Sequence, residues 1–525
     1  MTSDMMAVTA LTELTVGRVI THTARNQPTK LALYDGSRRV TYGELDAGVD
    51  CLASSLVAAG VAKGDVVSAY LPNCIDYVQV VLAVARAGAV FSPINPRFKA
   101  YEISRLISKA APRIIFTIRA STETIVKARE LAGASGTLIV TVDGGGAQDP
   151  AWTMDRLLKL PPQSLPVVED HDYFSLMFTS GTTGEPKGAL ATHRARSLWV
   201  LNAAIQYGLI EDDVYLGTMP QVHSAGLTFT LIHLYIGATV RILEHFDPKV
   251  FLEIVEREKI TSSLTVPTML TMILEARQDS VRRHDLGSLK RLVTCGSPLP
   301  LTVKKKVLET ISDQLYDYYG STESNSMSVL KPRDQLRKPN SVGQAFTNVE
   351  LMIAGPDGKS MPAGETGEIW CSNPSCMACY LDDPQETAAA FTGRWFHTGD
   401  LGYLDSEGYL YIVGRLKDLI VSGGVNVYPA EVEQVILQHP AVLDCAVVGV
   451  PDEKWGQAIK AFIKLRRDQS IDLPQLQDHC KNYLADYKKP RHLQVVDDIP
   501  KNAGGKTVKH ALMAITPDTR EKERQ

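Results

Sequence analysis

The segment MFTSGTTGEPKG extends from Met177 to Gly188 and has an unusual composition. It completes an apolar run that begins at Tyr173, and it holds three glycines, three threonines, one serine and one lysine. Glycine lowers the stability of helices and strands, and serine and threonine side chains compete for backbone hydrogen bonds. The segment therefore predicts a loop after a buried strand, with neither helix nor strand of its own.

This loop has the composition of a phosphate-binding site. Glycines let backbone N–H groups approach an anion, hydroxyls add donors, and a lysine adds positive charge. It is not a Walker A loop, because Pro186 precedes the lysine and Gly188 follows it. A flexible linker remains the alternative, although it does not explain the hydroxyl residues. The candidate residues are Thr179, Ser180, Gly181, Thr182, Thr183, Gly184 and Lys187.

Segments typical of helices and strands alternate before the loop. TYGELDAGVDCLASSLVAAG starts with Thr41 and Glu44, a capping-box pair, and its apolar residues recur at helical spacing. DVVSAYL, PRIIFT and TLIVTV are short apolar strands, with the helix YVQVVLAVARAG between the first two. Further on, RLVTC, VELMIA and GEIWC continue the pattern. Such alternation predicts an α/β architecture with parallel-rich sheets.

The composition changes near YLYIVGRLKDLIVSGG, and a compact run follows. The segment NVYPAEVEQVILQHP predicts a helix with Pro429 in its first turn, and the segments DCAVVGV and QAIKAFIKL predict strands. LPQLQDHCKNYL reads as a second helix. We predict a large N-terminal domain over 1–415 and a small α+β domain over 416–525, with a hinge near Lys417.

The overall composition excludes several classes of function. The chain has 525 residues, 44% of them hydrophobic, and a net charge of −4, so a protein dedicated to nucleic acid is not expected. The lysines at 304–306 are expected on a solvated helix face. There is no signal-peptide pattern and no apolar run long enough to span a bilayer. Eight cysteines do not form a disulfide framework, and we expect a cytoplasmic protein with reduced thiols.

One cysteine pattern needs separate treatment. Cys371, Cys376 and Cys379 have the spacing of a plant-type iron–sulfur site, but the next cysteine is as far away as Cys445. Three ligands are one short of the usual set. We therefore expect three incidental thiols.

Four later segments add chemistry that a phosphate loop needs. YDYYGSTES places Glu323 on a glycine turn, where it suits a hard cation such as Mg²⁺. HTGDLGYLD carries Asp400, a candidate acceptor for a ribose diol, and GRLKD adds Arg415. PKNAGGKTVKH carries Lys506 in a second glycine-rich loop.

Taken together, these motifs resemble the adenylate-forming enzymes, which include acyl- and aryl-CoA synthetases, firefly luciferase and the adenylation domains of peptide synthetases. The resemblance runs from about Thr41 to about Leu512, and TSGTTGEPKG and HTGDLGYLDSEGYLYIVGRLKD are its most specific parts. It implies a carboxylate that attacks the α-phosphate of ATP, giving an acyl-adenylate and pyrophosphate. A thiol, usually that of coenzyme A, then takes the acyl group and AMP leaves.

The resemblance also implies roles for individual residues. The loop around Lys187 would hold the β- and γ-phosphates, Thr322 and Glu323 would meet phosphate and Mg²⁺, and Lys506 would bridge the carboxylate and the α-phosphate. Asp400 and Arg415 would bind the ribose, and the small domain would rotate about Lys417. The remaining nucleotide and pantetheine contacts would come from Gly296, Ser297, Pro298, Asp317, Tyr318, Tyr319, Gly423 and Gly424. Val421 replaces a lysine of luciferase-like members, which argues against luciferase chemistry.

Other positions bear on the thiol and the acid. Trp455, Tyr487, Lys489 and Arg97 match positions that contact coenzyme A in related ligases, although each is also compatible with ordinary surface or core. His223 borders the acyl pocket in the resemblance, and the absence of an acidic residue between Met219 and Ala238 disfavours an amino-acid substrate. The other pocket candidates are Gln221, Gly226, Leu227, Thr268, Ser321, Asn325 and Ser326.

The expected function is therefore an ATP-dependent acid–thiol ligase for an aromatic, medium-chain or functionalised acid, with coenzyme A as acceptor. A stand-alone adenylation enzyme that loads a carrier-protein phosphopantetheine is the alternative, and DEKWGQ and ADYKKP favour coenzyme A over it. An inactive nucleotide-binding regulator is disfavoured because Glu323 and Lys506 are present. A homodimer is compatible with the sequence but not indicated by it.

Overall fold

The computed structural model describes residues 14–144, 152–180, 186–280, 284–422, 425–501 and 507–513. The chain divides into two compact units. Unit 1 comprises Met1–Glu350 and Cys371–Phe396, and unit 2 comprises Leu351–Trp370 and His397–Gln525. The predicted domain boundary at residue 415 stays a prediction.

The described helices lie mostly in unit 1. In chain order they are α1 (Thr21–Asn26), α2 (Tyr42–Ala58), α3 (Ile75–Arg86), α4 (Ala100–Ala110), α5 (Thr122–Leu131), α6 (Met154–Leu158), α7 (His193–Tyr207), α8 (Ser224–Tyr235), α9 (Pro248–Glu258), α10 (Pro267–Gln278), α11 (Leu301–Thr310), α12 (Pro384–Ala389), α13 (Pro429–Ile436), α14 (Leu473–Lys481) and α15 (Lys509–Met513). Short 3₁₀ turns lie at Val16–Arg18, Arg119–Ser121, Pro332–Asp334, Leu416–Asp418 and Asp486–Lys488.

The described strands are distributed over both units. In chain order they are β1 (Leu31–Tyr34), β2 (Arg39–Thr41), β3 (Val66–Tyr70), β4 (Val90–Pro93), β5 (Ile114–Thr117), β6 (Leu138–Thr141), β7 (Trp152–Thr153), β8 (Tyr173–Ser180), β9 (Pro186–Thr192), β10 (Val214–Gly217), β11 (Thr239–Ile242), β12 (Ser262–Thr265), β13 (Arg291–Cys295), β14 (Leu315–Ser321), β15 (Asn325–Leu330), β16 (Gln344–Ala345), β17 (Glu350–Ala354), β18 (Gly367–Ser372), β19 (Cys379–Tyr380), β20 (Phe391–Thr392), β21 (Trp395–Leu404), β22 (Leu410–Arg415), β23 (Ile420–Ser422), β24 (Val425–Val427), β25 (Val442–Asp452), β26 (Gly456–Leu465) and β27 (His492–Val495).

Unit 1 is built on two large sheets. One has the order β16-β15-β14-β13-β12-β10-β11-β1-β2, and the other has the order β19-β9-β8-β4-β3-β5-β6-β7. Strands β10 to β14 pair in parallel with one another, and so do strands β3 to β7. This arrangement confirms the predicted α/β architecture with parallel-rich sheets.

Local sequence explains why the predicted elements form. Thr41 caps α2 through its side chain, and Glu44 returns a hydrogen bond to the Thr41 backbone, so the predicted capping box is present. Nine of the twelve residues of α3 are buried, which explains why its sequence is apolar on nearly every face. Pro429 begins α13, as predicted.

Two sequence predictions for unit 1 were wrong. The segment 177–188 is not wholly loop, because β8 continues to Ser180 and β9 starts at Pro186, and the two strands pair across Thr179 and Lys187. Lys304 is not on a solvated face: its side chain is only 1% exposed, whereas Lys305 and Lys306 are exposed. Helix α11 turns Lys304 inward, on the same side as the buried Val307.

Unit 2 holds smaller, largely antiparallel sheets. Strands β17, β18, β21 and β22 form one, and the other has the order β24-β23-β26-β25 with β27 parallel to β26. Helices α13 and α14 pack on the second sheet through an apolar cluster that includes Val432, Ile436 and Leu476. This is the small α+β unit that the sequence predicts.

The predicted thiols lie in different surroundings. A hydrogen bond to Cys376 and then burial raise the pKa of Cys371, whereas Cys379 Sγ lies 3.5 Å from the Tyr173 hydroxyl. Among the described residues, no helix combines the length and the apolar character that crossing a bilayer requires.

Candidate active site

Several predicted site residues of unit 1 lie at or beyond the carboxyl ends of four parallel strands, β10, β12, β13 and β14. Gly296, Ser297 and Pro298 follow β13 and are exposed, and Gly296 has a φ of +91° that favours glycine. The loop after β10 leads to His223, and the loop after β12 leads to Thr268. Because parallel strands end at the same edge, these loops share one side of the sheet.

Strand β14 carries the next set. It contains Asp317, Tyr318 and Tyr319, and the tight turn to β15 presents Thr322 and Glu323. A Cβ on Gly320 would lie 2.1 Å from the Asn325 carbonyl oxygen, so only glycine fits there.

The loop after β18 braces this turn from outside. Met377 donates its backbone N–H to the Glu323 carbonyl at 2.6 Å, and Asn373 donates to the carbonyls of Ser324 and Ser326. Glu323 is therefore held on a fixed backbone.

The two strands on either side of the predicted phosphate loop pair with each other, and Lys187 lies at the base of this hairpin. The backbone of Thr179 faces that of Lys187, and Ser180 faces Pro186. Lys187 donates from Nζ to Glu386 Oε2 at 2.6 Å, and the same ammonium lies 5.6 Å from the centre of the Tyr380 ring. Gly181, Thr182, Thr183 and Gly184 lie outside the described residues.

Tyr380 contacts both Lys187 and Glu323, the predicted magnesium ligand. Burial first, and then the negative charges of Glu323 and Glu386, raise the pKa of the Tyr380 hydroxyl, which also hydrogen-bonds to Glu323. Lys187, Glu386, Tyr380 and Glu323 thus form one charged cluster beside the hairpin. The carboxylate oxygens of Glu323 are of the type that Mg²⁺ prefers as ligands.

Asp317 lies over a buried lysine. Its carboxylate is 3.8 Å from Lys304 Nζ, and burial raises the pKa of Asp317 to about 7 although the lysine opposes the shift. Burial in turn lowers the pKa of Lys304, which also donates to the Pro339 carbonyl at 2.9 Å. Tyr318 is buried and stacks on Phe229 at 6.1 Å. Asp317 and Tyr318 are therefore buried within β14, whereas Tyr319 is half-buried.

His223 caps the start of α8. Burial first, and then the charge of the exposed Arg97, lower the pKa of His223, so the imidazole is neutral at pH 7. Gly226 follows in the first turn, where a Cβ would lie 2.3 Å from the Pro220 carbonyl oxygen. Gln221 accepts from the Cys74 N–H at 3.2 Å, so its side chain holds the loop in place.

A fully buried arginine stands beside these residues. Arg196 donates from Nη1 to Asn325 Oδ1 at 2.9 Å and to Thr228 Oγ1 at 3.0 Å, and Ser224 Oγ lies 3.3 Å away. Asn325 in turn donates to the Ser375 carbonyl. Arg196 was not among the predicted site residues, because a single arginine in a mixed helix is usually exposed.

Unit 2 brings together a second group of predicted residues. Asp400 and Arg415 face each other across β21 and β22, and their side chains form an ion pair of 2.8 Å. Arg415 is about half exposed, with a side-chain exposure of 44%. Lys417 follows in the 3₁₀ turn Leu416–Asp418.

Three of the predicted coenzyme A residues, Trp455, Tyr487 and Lys489, belong to unit 2, whereas Arg97 belongs to unit 1. The Trp455 ring has the guanidinium of Arg491 at 4.6 Å and the ammonium of Lys454 at 5.1 Å from its centre. Tyr487 is 40% exposed, and Lys489 forms an ion pair of 2.6 Å with Asp486. Gly423, Gly424 and Lys506 lie outside the described residues.

Comparison with models of protein families identifies the family of this chain. The AMP-binding enzyme model matches residues 20–381, and the model of the AMP-binding enzyme C-terminal domain matches residues 431–506. The chain belongs to the AMP-binding enzyme family. The predicted resemblance to adenylate-forming enzymes is therefore confirmed.

Individual relatives narrow the class within the AMP-binding family. The chain is 36% identical to a feruloyl-CoA synthase from Amycolatopsis sp, over 93% of this chain and 96% of the relative. It is 34% identical to a 2-succinylbenzoate–CoA ligase from Geobacillus kaustophilus, over 94% of this chain and 96% of the relative.

Solved structures agree with this placement. ATP-bound MatB from Rhodopseudomonas palustris superposes with a TM-score of 0.86 at 28% identity, covering 95% of this chain and 98% of that one. The o-succinylbenzoate CoA synthetase of Bacillus subtilis, in complex with its acyl-adenylate, superposes with a TM-score of 0.83 at 30% identity, covering 95% and 98% of the two chains. The predicted fold and the predicted class, an AMP-forming CoA ligase, are confirmed.

Besides Arg196, three residues of this AMP-binding enzyme were missed by sequence reasoning. Glu386 and Tyr380 lie about 200 residues from Lys187 in the chain, and no local spacing connects them. Lys304 was assigned to solvent because its neighbours are lysines. In each case only the tertiary fold supplies the contact.

Proposed function

We propose that this protein converts a functionalised carboxylic acid to its coenzyme A thioester in two steps, with ATP as the source of AMP. In the first step a carboxylate oxygen of the acid attacks the α-phosphorus of ATP, and the bond to the β-phosphate oxygen breaks to release pyrophosphate. In the second step the sulfur of coenzyme A attacks the acyl carbon, and AMP leaves with the bridging oxygen.

The cluster of Lys187, Tyr380, Glu323 and Glu386 is the observation that carries this proposal. The first step brings two anions together, so it requires fixed positive charge and oriented donors at the phosphates. Lys187 supplies a cation at the base of the hairpin, and Glu323 supplies a carboxylate within reach of the same tyrosine. When bound there, Mg²⁺ would neutralise phosphate charge, with Glu323 as its protein ligand and Thr322 as a neighbouring donor.

The remaining roles follow from position. Gly296, Ser297 and Pro298 would border the adenine, with Asp317, Tyr318 and Tyr319 alongside. Asp400 would accept from the ribose hydroxyls, because its carboxylate is already oriented by Arg415.

Unit 2 would change position between the two steps, turning near Lys417. Lys506 would serve the first step. Gly423 and Gly424 would line the path of the pantetheine arm in the second, where Trp455, Tyr487, Lys489 and Arg97 would meet the nucleotide end of coenzyme A.

The acyl pocket would lie between His223 and Asn325. A neutral imidazole at His223 does not repel or attract the acid electrostatically, so it would act as a hydrogen-bonding wall. Gln221 and Gly226 shape the loop, while Leu227, Thr268, Ser321 and Ser326 are further wall residues. The relatives act on aromatic, long-chain and dicarboxylic acids by name, and a functionalised acid suits the polar wall at Asn325.

The discriminating experiment measures pyrophosphate release with ATP, Mg²⁺ and a panel of carboxylic acids, with and without coenzyme A. We expect release that depends on the acid and turns over only with coenzyme A, with acyl-CoA identified by mass. Adenylate formation without acceleration by coenzyme A would instead support a carrier-protein acceptor. Gel filtration with light scattering would test the homodimer, and fractionation would test the cytoplasmic location.

A further inference from the structure

Arg196 carries a positive charge into the protein interior. It lies in α7, and its residue is only 1% exposed. Burial lowers the pKa of the guanidinium to about 10, so it is still charged at pH 7. A buried charge is costly unless an opposite charge pairs with it.

No carboxylate pairs with Arg196 in the described part of the chain. Its hydrogen-bond acceptors are the neutral oxygens of Ser224, Thr228 and Asn325. Other shielded arginines of the same unit have an anionic partner: Arg241 lies 3.2 Å from Glu258, and Arg291 lies 2.7 Å from Asp213. Arg196 is the exception among them.

The unpaired atoms of Arg196 form one edge of the guanidinium. A guanidinium has five N–H donors, and Nη1 provides two of them. Nε has no hydrogen-bond partner, and no hydrogen bond joins Nη2 to the described residues. The Nε and Nη2 edge presents two parallel N–H groups, which match the two oxygens of one carboxylate.

The hydrogen-bond partners of Nη1 place the Arg196 guanidinium at the acyl side of the site. Ser224 directly follows His223, and Asn325 closes the turn that carries Glu323. Trp199, one helical turn further along α7, is 4% exposed, and its Nε1 also has no hydrogen-bond partner. Two buried donors on one face of α7 therefore lack an acceptor, and a bound acid can supply one.

We propose that Arg196 is the specificity-determining residue of the acyl pocket and that the acid substrate carries a second carboxylate, which binds the Nε and Nη2 edge. The first carboxylate is the one that reacts with ATP. This inference rests on the proposed function, because it requires an acyl pocket between His223 and Asn325. It adds the substrate class, a dicarboxylic acid.

The test compares matched acids that differ only in the distal group. One set is hexanedioate, its monoamide and hexanoate. The other is benzene-1,4-dicarboxylate, 4-carboxybenzamide and 4-methylbenzoate. Acid-dependent pyrophosphate release and acyl-CoA formation give kcat/KM for each acid with the wild type, Arg196→Met and Arg196→Lys. Met fills a similar apolar volume without donors, and Lys keeps the charge without the paired donors.

We expect the wild type to prefer the diacid over its methyl analogue by about 100-fold or more in at least one set. Arg196→Met should lower kcat/KM for that diacid by about 100-fold and leave the methyl analogue unchanged or improved, with Arg196→Lys between the two. The monoamide should behave like the methyl analogue.

Three results would overturn the inference. A wild type that favours the methyl analogue in both sets excludes a carboxylate partner, and a monoamide as good as the diacid excludes a charge requirement. If Arg196→Met or Arg196→Lys lowers kcat/KM equally for all acids, the role of Arg196 is structural. If Arg196→Met does not fold, Arg196→Lys and the substrate preference of the wild type still test the inference. If no acid releases pyrophosphate at all, the proposed function fails as well, which is a distinct result.

Discussion

Glu386 accepts a hydrogen bond of 2.6 Å from Lys187 Nζ across 199 residues of sequence. The lysine side chain is 18% exposed and the glutamate 45% exposed, so the pair lies at the rim of the site. Its consequence is that the ammonium is held beside the hairpin before any phosphate arrives, which is the kind of preorganisation that electrostatic catalysis uses.

Glu386→Gln should therefore weaken ATP binding more than it slows chemistry. The amide still accepts a hydrogen bond but no longer fixes the ammonium by charge, so we expect KM for ATP to rise roughly 3- to 10-fold with a smaller change in kcat. Initial rates of pyrophosphate release at varied ATP provide the measurement. Lys187→Met is the reference and should cost about 100-fold in kcat/KM; an unchanged KM for ATP in Glu386→Gln would refute the positioning role.

Asp317 should make stability depend on pH. Its folded pKa of about 7 lies above the unfolded value of 3.8, so the folded state binds more protons between these values. Stability should then fall as pH rises from about 4 to about 7, by up to roughly 4 kcal/mol, and level off above. Asp317→Asn removes the titrating group and should flatten this window.

Urea unfolding at pH 4.5, 6 and 8 compares the free energies of unfolding of the wild type and Asp317→Asn. Asp313→Asn, at an exposed carboxyl before β14, serves as the control. Parallel pH profiles for the wild type and Asp317→Asn would show that this carboxyl is already ionised in the folded protein.

His223 should respond to the charge of Arg97. Since the charge of the arginine helps to lower the pKa of the imidazole, Arg97→Gln should raise the pKa of His223. Nitrogen-15 spectra of labelled histidine, recorded from pH 4 to 8, follow the titration directly. Arg467→Gln, at a residue whose side chain is 96% exposed, should leave it unchanged, and an identical shift in both variants would point to general charge effects.

Gly226 should not tolerate a side chain. A methyl group there would lie 2.3 Å from the Pro220 carbonyl oxygen, so Gly226→Ala must displace the loop that leads to His223. We expect roughly 1–3 kcal/mol of destabilisation and a higher KM for the acid. Gly136→Ala has nothing within 4 Å of the added methyl and is the control; equal melting temperatures would contradict the prediction.

Lys506→Ala should separate the two half-reactions. If this lysine serves only the first step, single-turnover adenylation from ATP should slow by about 100-fold, whereas thioester formation from a synthetic acyl-adenylate and coenzyme A should remain near the wild-type rate. Rapid-quench measurements of AMP and acyl-CoA follow the two steps separately. Equal losses in both would remove Lys506 from the specific role proposed for it.

The sequence predicted those features that depend on local spacing. The capping box at Thr41, the start of α13 at Pro429 and the turn that carries Glu323 each rest on neighbouring residues. Lys304 and Arg196 could not be predicted, because each is buried by elements far away in the chain, and a charged side chain on a helix is usually exposed. The hairpin was misjudged for a related reason: pairing between β8 and β9 overrides the low strand preference of Pro186 and Gly188.

Asn325 combines two requirements that constrain how the pocket can be redesigned. Its backbone lies in the left-handed region with φ of +55°, where asparagine is among the few tolerated side chains, and its amide joins Arg196 to the Ser375 carbonyl. A library that varies this position for new acids would lose most members to backbone strain before selectivity is tested. Directed evolution of this ligase should therefore keep Asn325 fixed and vary Arg196 and Trp199.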